Sequence, residues 1–458
     1  MHIFFSGIGG TGLGPLALIA HQAGYRVSGS DKQDSQYIQY LRNHGIPDIE
    51  IGQSVEHIQA MHEREPIDWF VYSSAVAIEN PDAPELRFCH AKHIKATKRD
   101  VFLSAILADK HLNLIAIAGT HGKTTTTAMA IWACKQLSIP ISYSVGAKMS
   151  FGDMGEFNPD SQYFIYEADE FDRNFLAFQP LISIITGIDW DHHDIYPTRE
   201  EYEAAFKQFV GQSEYTIIWR EDADKLGLTS GEKVIIINKD DPVIQERFTL
   251  AGTVNREDAW QVAVALQPMS GRPIEDVISV LNSFPGVARR FEQILPHLYS
   301  DYAHTPPKIH GTLGTAAEVA HMDERHDHKV VVVYEGLHNT RQHFIKDELR
   351  TLFDGVDYLY IVPTYLARED KTLPLLTPDK LRDLLSETTR AKSAAATLDP
   401  NLEKAIRGHL AAEDIVVCIS AGGGGSLDEW LRRTFLGEQP STPAVSDNQT
   451  LIINHEQS

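Results

Sequence analysis

A lysine framed by glycines and threonines is the strongest chemical signal in this chain of 458 residues. Proteins bind polyphosphates where unpaired backbone N–H groups begin a helix, beside a mobile cation and a hydroxyl that reaches Mg²⁺. Lys123 supplies such a cation, and Thr124 supplies the hydroxyl. The whole loop consists of Gly119, Thr120, His121, Gly122, Lys123, Thr124 and Thr125. It predicts a phosphate loop, and the alternative is a glycine turn with a chance lysine.

Two clusters of polar side chains supply candidate metal ligands for this loop. Four carboxylates lie within residues 167–172, and Asp and His side chains crowd residues 189–194. Neighbouring carboxylates repel one another unless a cation gathers them. With Thr124, they predict a site for two Mg²⁺ ions that neutralises phosphate charge. His192 and His193 cannot face the same way, so we expect one ligand between them. The alternative for 167–172 is a solvated acidic turn.

A second glycine-rich turn lies near the start of the chain. Strand residues 2–6 run into a Gly-x-Gly-x-x-Gly pattern, a helix follows to residue 23, and a second strand ends at Asp31. This order matches a dinucleotide-type unit, in which glycines let a diphosphate approach and the acid reaches a ribose. The residues expected at the diphosphate are Gly9, Gly10, Thr11 and Gly12. A tight turn that serves only packing is the alternative.

Further polar groups follow strands elsewhere in the chain. Ser73 and Ser74 come after the apolar run 69–72, at the strand end where open α/β sheets bind ligands. Residues 285–291 break the helical pattern and predict a hinge, whose arginines are either solvated or reach an anionic ligand. The four glycines at 422–425 are expected to approach a ligand or to form a flexible turn.

Alternating strands and helices must position these groups. Short apolar runs alternate with helical patterns along the chain, which is typical of parallel sheets. The predicted fold class is α/β with three domains, of which the first and last are Rossmann-like and the central one carries the phosphate loop. The expected boundaries are 1–109, 110–288 and 289–436, followed by a disordered polar tail at 437–458.

Composition argues against several classes of protein. A formal net charge of −22 opposes nonspecific binding to nucleic acids or anionic membranes, because the field of the whole molecule repels polyanions. The three cysteines lack Cys-x-x-Cys spacing, which favours a reduced cytoplasmic protein without a cysteine metal site. No apolar run reaches the roughly 20 residues that span a bilayer, and no signal-peptide pattern opens the sequence. We therefore expect no nucleic-acid partner and no membrane insertion.

These motifs together resemble the Mur ligase family, the ATP-dependent enzymes that build the peptide stem of bacterial cell-wall precursors. The resemblance runs from Gly7 to about Phe435. Its specific parts are the loop at 119–127, Glu-Ala-Asp-Glu at 167–170 and Asp-Tyr-Ala-His-Thr-Pro at 301–306. It implies an N-terminal UDP-sugar domain, a central P-loop ATPase and a C-terminal domain for the incoming amino acid, with ATP and Mg²⁺ as cofactors.

The resemblance also implies a reaction and roles for residues. L-Alanine would be joined to the lactyl carboxylate of UDP-N-acetylmuramate through an acyl phosphate. The implied catalytic residues are Lys123, Glu167 and His192, and the implied metal ligands are Thr124, Glu167 and His192. The residues that would join the loop in binding ATP are Asn255, Arg290 and Asp301. The implied substrate-binding residues are Gly9, Gly10, Thr11, Gly12, Asp31, Ser73, Ser74, His121 and Arg341.

The sequence departs from the family pattern at three places. Asp258 stands where the family commonly has asparagine, residues 335–338 replace a Gln-Pro-His-Arg segment, and the stretch 192–255 is shorter than usual. Lys207 lies where some members carry a carbamylated lysine, and a solvated helix lysine is the alternative there. Since the segment at 335–338 helps to select the acceptor, the acceptor is the least determined part of the prediction.

The sequence leaves three other functions open. One is a murein-peptide-recycling ligase that attaches the tripeptide L-Ala-γ-D-Glu-meso-diaminopimelate to the same sugar nucleotide. Another is a non-catalytic nucleotide-binding regulatory protein, against which Glu167 and His192 argue. The third is the folylpolyglutamate synthetase group, which lacks a UDP-sugar domain such as residues 1–108 resemble. We expect a monomer or homodimer in the cytoplasm.

Overall fold

The computed structural model describes residues 1–73, 76, 82–192, 195–321, 328–366, 369–370 and 372–437. Ser74, His193 and the predicted tail from residue 438 lie outside the described residues. The chain divides after Ala288 into two compact units. In its described part, the first unit contains two β-sheets and the second contains one. No helix of the described chain is both long and apolar enough to cross a membrane.

The N-terminal sheet has five strands: β1 (His2–Ser6), β2 (Arg26–Asp31), β3 (Ile49–Ile51), β4 (Trp69–Tyr72) and β5 (Lys95–Lys98). Its helices are α1 (Gly14–Gln22), α2 (Gln36–Asn43), α3 (Val55–Arg64), α4 (Pro84–Ala91) and α5 (Arg99–Asp109). The strand order is β3-β2-β1-β4-β5, and all pairs are parallel. The order reverses beside β1, and such sheets bind ligands outside the carboxyl ends of the strands at this point.

The central sheet has seven strands: β6 (Asn113–Ala118), β7 (Ile141–Ser144), β8 (Gly155–Glu156), β9 (Tyr163–Glu167), β10 (Ile182–Ile185), β11 (Tyr215–Trp219) and β12 (Val234–Ile237). Its helices are α6 (Lys123–Gln136), α7 (Arg199–Gln212), α8 (Arg220–Lys225), α9 (Pro242–Glu246), α10 (Thr253–Ser270) and α11 (Ile274–Asn282), with a 3-10 helix at Phe171–Ala177. The order is β12-β11-β10-β6-β9-β7-β8, and β8 alone is antiparallel to its neighbour in this described sheet. Strand β6 lies between β10 and β9, so the carboxyl ends of these three parallel strands meet at one edge.

One apolar core joins the two sheets of the first unit. It includes Phe5 and Phe102 from the N-terminal part and Leu114, Tyr166 and Phe206 from the central part. The rings of Phe5 and Phe102 meet edge to face, with 5.5 Å between their centroids. Because the core is continuous, residues of both sheets are kept from water by the same apolar cluster. The expected boundary after residue 109 therefore separates two sheets that share a core, and the three-domain division stays a prediction.

The second unit has six strands: β13 (Glu292–Leu295), β14 (Leu298–Asp301), β15 (Val330–Leu337), β16 (Tyr358–Tyr365), β17 (Ser393–Ala395) and β18 (Ile415–Ile419). Its helices are α12 (Pro306–His321), α13 (Asn339–Phe344), α14 (Lys346–Leu352), α15 (Pro378–Leu384), α16 (Glu387–Ala391), α17 (Pro400–Ala411) and α18 (Leu427–Leu436). The order is β13-β14-β18-β15-β16-β17, parallel except between β13 and β14. Apolar clusters cover both faces of this sheet, as a buried parallel sheet requires.

The predicted α/β fold class with three sheets is confirmed. This agreement arises because buried parallel strands are short apolar runs bounded by polar turns, a pattern that is visible in the sequence.

Candidate active site

The phosphate loop connects β6 to α6 through two glycines in unusual conformations. Gly119 has φ of +147° and Gly122 has φ of +78°, a region that residues with a side chain rarely adopt. A Cβ at Gly119 would collide with the Thr186 hydroxyl and lie 3.0 Å from backbone atoms of Gly187. Glycine is thus required at both positions, and the N-terminal N–H groups of α6 open onto the loop.

Lys123 forms a buried ion pair that sequence reasoning does not identify. Its Nζ lies 2.7 Å from Oε2 of Glu170 and 2.5 Å from the carbonyl oxygen of Gly119. Burial disfavours the charged carboxylate, but the Lys123 charge and hydrogen bonds from His192 and Lys123 outweigh it, and they lower the pKa of Glu170 to about 2. Burial likewise disfavours the ammonium, yet the charge of Glu170 raises the pKa of Lys123. Both groups are therefore charged at neutral pH.

Glu167 and Thr124 lie together at the start of α6. The Thr124 hydroxyl donates a hydrogen bond to Oε1 of Glu167 at 2.7 Å, and the N–H of Gly146 donates to Oε2 at 2.7 Å. A hydroxyl and a carboxylate are hard oxygen donors of the kind that Mg²⁺ prefers. This pair therefore fits the predicted Mg²⁺ ligands.

The His192 side chain points toward Glu170. Its Nε2 lies 3.5 Å from Oε1 of Glu170, and its ring meets that of Phe171 edge to face at 5.2 Å. Burial disfavours the imidazolium, but the hydrogen bond and charge of Glu170 raise the pKa of His192. Among the described residues, no group of three or more His, Cys, Asp or Glu side chains is arranged to hold a metal. The second metal site hence stays a prediction.

The first half of the loop is anchored to the strand end after β10. The Thr120 hydroxyl donates to the carbonyl oxygen of Asp189 at 2.8 Å and contacts the hydroxyl of Tyr202 at 2.8 Å. His121 Nε2 lies 3.4 Å from Oδ2 of Asp189, and the Thr186 hydroxyl donates to the carbonyl oxygen of His121. The residues that follow β6 and those that follow β10 are thus joined by hydrogen bonds. This is expected because the two strands are adjacent and parallel.

The start of α10 lies near the loop through Asp258. A Cβ at Gly122 would lie 3.0 Å from Oδ1 of Asp258, whose side chain is also hydrogen-bonded to Thr126. Burial, with the nearby charge of Glu257, raises the pKa of Asp258 well above its ordinary value. Asn255, the predicted adenine contact, donates through Nδ2 to the carbonyl oxygen of Ala251 at 2.7 Å.

The glycine turn after β1 is closed by its own hydrogen bonds. Gly9 N–H donates to Oδ2 of Asp31 at 2.8 Å, and Gly10 N–H donates to the carbonyl oxygen of Gly7 at 3.1 Å. Asp31 therefore lies at the turn, where the sequence predicts it. Ser73 follows β4, and its hydroxyl accepts a hydrogen bond from the N–H of Val76 at 3.4 Å. The structure thus brings Gly9, Gly10 and Asp31 together.

Arg290, Asp301 and Arg341 belong to the second unit. Asp301 accepts hydrogen bonds at 2.7 Å from the N–H groups of Phe291 and Ala303. Burial raises the pKa of Asp301, and the charge of Arg290 opposes this. The Arg290 guanidinium lies over the ring of Tyr302, 4.8 Å from its centroid. Their predicted roles toward ATP, and that of Arg341 on α13, stay predictions.

A phosphate loop between a parallel strand and a helix, with carboxylates after the adjacent strand, is typical of a nucleotide-binding enzyme of the α/β class. The family profile described as "Mur ligase family, catalytic domain" matches residues 2–111, and "Mur ligase middle domain" matches residues 117–256. UDP-N-acetylmuramate–L-alanine ligase of Anaeromyxobacter sp. (strain Fw109-5) is 30% identical over 92% of this chain and 94% of its own. The enzyme of that name from Clostridium perfringens (strain 13 / Type A) is 28% identical over 92% and 95%.

Solved structures give the same fold. The UDP-N-acetylmuramate-alanine ligase of Thermotoga maritima matches with a TM-score of 0.69 at 24% identity, covering 92% of this chain and 96% of that chain. A murein peptide ligase from Psychrobacter arcticus 273-4 matches with a TM-score of 0.57 at 22% identity, with the same coverage. The chain belongs to the Mur ligase family, and it is an ATP-dependent ligase that forms amide bonds. The resemblance predicted from the sequence is confirmed.

Proposed function

We propose that this protein joins L-alanine to the lactyl carboxylate of UDP-N-acetylmuramate. The observation that carries the proposal is the arrangement at the phosphate loop, where Lys123 and Thr124 lie beside two strand-end carboxylates, Glu170 and Glu167. The full-length similarity to relatives named for this reaction supports the choice of substrates. A carboxylate–amine ligase needs a phosphoryl donor site, and this loop has the groups for one.

The reaction proceeds in two displacements. An oxygen of the lactyl carboxylate attacks the γ-phosphorus of ATP, the bond to the β-phosphate oxygen breaks, and ADP leaves. The amine of L-alanine then attacks the carbonyl carbon of the acyl phosphate, inorganic phosphate departs, and the amine loses a proton. Phosphorylation is required because a carboxylate is a poor electrophile that lacks a good leaving group.

The residues of the loop orient the phosphates. Lys123 would hold the β- and γ-phosphates through Nζ together with the N–H groups that begin α6, while Glu170 fixes the position of its ammonium. Thr124 and Glu167 would hold Mg²⁺, which when bound neutralises phosphate charge. His192 would hold a second metal ion near the lactyl carboxylate. Asn255 would face the adenine.

The glycine turn is proposed to bind the diphosphate of the sugar nucleotide. Gly9, Gly10, Thr11 and Gly12 would surround it, Asp31 would approach the ribose, and Ser73 and Ser74 would line the strand end. In the second unit, Arg290 and Asp301 would bind ATP and Arg341 the acceptor. The cytoplasmic location and the monomeric or dimeric state stay predictions, and carbamylation of Lys207 stays an open alternative to a solvated lysine.

One assay separates the candidate functions. Phosphate release is measured with ATP, Mg²⁺ and UDP-N-acetylmuramate in the presence of single amino acids or of L-Ala-γ-D-Glu-meso-diaminopimelate. Release that depends on L-alanine is expected. Release with the tripeptide alone would identify a peptide-recycling ligase. Nucleotide binding without release for any acceptor would identify a regulatory protein.

A further inference from the structure

The acidic run after β9 has two sets of neighbours. Glu167 and Glu170 contact the phosphate loop. Asp169, between them, instead contacts Arg99 at the start of α5, where Nη2 lies 3.2 Å from Oδ2 of Asp169. Neighbouring residues of this segment thus contact two different places. Glu167 and Glu170 contact the phosphate loop, and Asp169 contacts the N-terminal part of the first unit.

Arg99 also lies against the glycine turn. A Cβ at Gly12 would collide with Nη1 of Arg99 and would lie 3.3 Å from its Cζ. The absence of a side chain at Gly12 therefore leaves the space that the guanidinium occupies. Nε of Arg99 lies 3.5 Å from Oδ1 of Asp100. The three nitrogens of the planar guanidinium thus have three different neighbours.

The position of this guanidinium is closely determined. The Arg99 side chain is 20% exposed, and those of Asp100 and Asp169 are 3% and 37% exposed, so the pair with Asp100 is only weakly screened by salt. Asp100 also accepts a hydrogen bond from the Tyr166 hydroxyl at 3.1 Å. Tyr166 precedes Glu167, so the start of α5 is held against the same strand end that carries the Thr124 partner.

We propose that Arg99 is a positioning residue that couples the glycine turn to the phosphate loop. A diphosphate ligand at residues 10–12 engages Nη1 while Nη2 stays on Asp169. The guanidinium then holds Asp169, and with it Glu170 and Lys123, in one arrangement. A triphosphate that binds an already ordered loop loses less conformational entropy, so each ligand binds more tightly when the other is present. The identity of the two ligands rests on the proposed function.

A purely structural role for Arg99 makes a different prediction. Its ion pairs would then only fix α5 on the shared core. Breaking the contact to Asp169 would lower stability without changing how one ligand affects the other. Coupling between the ligands, rather than activity or stability, is therefore the quantity that separates the two roles.

The experiment measures this coupling on the full-length protein. The Kd of UDP-N-acetylmuramate is determined by titration calorimetry, alone and with a saturating non-hydrolysable ATP analogue and Mg²⁺. The ratio of the two Kd values is the coupling factor. We expect the analogue to tighten sugar-nucleotide binding by about fivefold or more in the wild type, the lower end of typical coupling between sites.

The variants address the two contacts of the guanidinium. Asp169→Asn removes the charge partner, and we expect a coupling factor near one with little change in the Kd measured without analogue. Arg99→Lys keeps the positive charge but lacks the planar guanidinium, which donates in several directions at once. We expect this variant to bind the sugar nucleotide more weakly and to lose coupling. Asp172→Asn is the matched control, because Asp172 pairs with Lys98 in the same segment and the coupling factor should stay at the wild-type value. Thermal melting verifies that each variant is folded.

The outcomes separate this proposal from the proposed function. A wild-type coupling factor of one or below, or an unchanged factor in Asp169→Asn, overturns the role of Arg99. A wild-type protein that does not bind UDP-N-acetylmuramate overturns both proposals. A third outcome is that the wild type shows coupling, that Asp169→Asn loses it, and that the wild type releases no phosphate with any acceptor. This outcome supports the role of Arg99 and contradicts only the proposed reaction.

Discussion

Nζ of Lys123 lies 2.7 Å from Oε2 of Glu170, and the two side chains are 17% and 1% exposed. The lysine that the sequence assigns to phosphate is therefore paired with a buried carboxylate. A phosphate must share this ammonium with Glu170 or displace it. Glu170 consequently affects both the stability of the loop and the position of its cation.

Replacing Lys123 should affect turnover and stability separately. Lys123→Met is expected to lower phosphate release by on the order of a hundredfold or more, because a preorganised charge on the transferred phosphoryl group is lost. It also leaves Glu170 buried without its main partner, which costs about 3–5 kcal/mol of unfolding free energy. Phosphate release and chemical denaturation measure the two effects.

The double variant Lys123→Met with Glu170→Gln separates the effect on turnover from the effect on stability. It should recover most of the stability without recovering turnover. Lys135→Met is the control, since Lys135 lies in the last turn of the same helix and pairs with Glu156. Wild-type turnover in Lys123→Met would remove the phosphate loop from the mechanism.

The glycine turn is tested by Gly10→Val. A Cβ at this position would lie 3.3 Å from the carbonyl oxygen of Gly7, and a branched side chain would fill the space expected for the diphosphate. A crowding cost of about 1–3 kcal/mol predicts a KM for UDP-N-acetylmuramate raised by roughly 5- to 150-fold. Gly211→Val is the control, because a Cβ at Gly211 meets nothing within 4 Å. An unchanged KM would assign the turn to packing alone.

Asp258 should tolerate replacement by the asparagine that the family commonly has there. Burial and the charge of Glu257 raise its pKa well above the ordinary value, so the carboxyl is expected to be neutral and close in shape to an amide. We expect Asp258→Asn to keep the KM for ATP and to stay within about 1 kcal/mol of wild-type stability. Asp258→Leu cannot form a hydrogen bond with the Thr126 hydroxyl. We therefore expect this variant to have a higher KM for ATP and to be less stable than the wild type. A large rise of KM in Asp258→Asn would indicate a functional carboxylate.

Glu335 should make the stability of the second unit depend on pH. Burial raises its pKa to about 7, against the hydrogen bonds from the Ser420 hydroxyl and the Leu427 N–H, which lower it. The native state then binds a proton more tightly than the unfolded chain. The stabilisation that comes from this bound proton is complete below the pKa of the unfolded chain. It is lost as the pH rises through the folded pKa of about 7.

The expected loss is about 3 kcal/mol between mildly acidic and mildly alkaline pH, from the difference between the folded and unfolded pKa values. Chemical denaturation at several pH values measures it, and Glu335→Gln should remove this part of the pH dependence. Glu403→Gln is the control, since Glu403 pairs with Arg407 on the surface of α17. An unchanged pH dependence in Glu335→Gln would show that the carboxyl does not titrate in this range.

Features that depend on neighbours along the chain can be predicted from the amino-acid sequence. The phosphate loop was recognisable because an apolar strand, two glycines and a helix start follow one another within residues 114–127. The glycine turn at 7–12 and the terminal acid Asp31 were recognisable for the same reason. Backbone conformation at glycine and the periodicity of buried strands are local properties, so local patterns predict them.

Which charged groups meet depends on how distant parts of the chain pack together. Lys123 and Glu170 are 47 residues apart in sequence, and Arg99 and Asp169 are 70 apart. The sequence marked Glu167 and not Glu170 within one acidic run, because nothing local tells which carboxylate of a run faces a buried lysine. Contacts of this kind follow from how two sheets pack on a shared core, and that packing brings together residues whose spacing in the chain carries no signal.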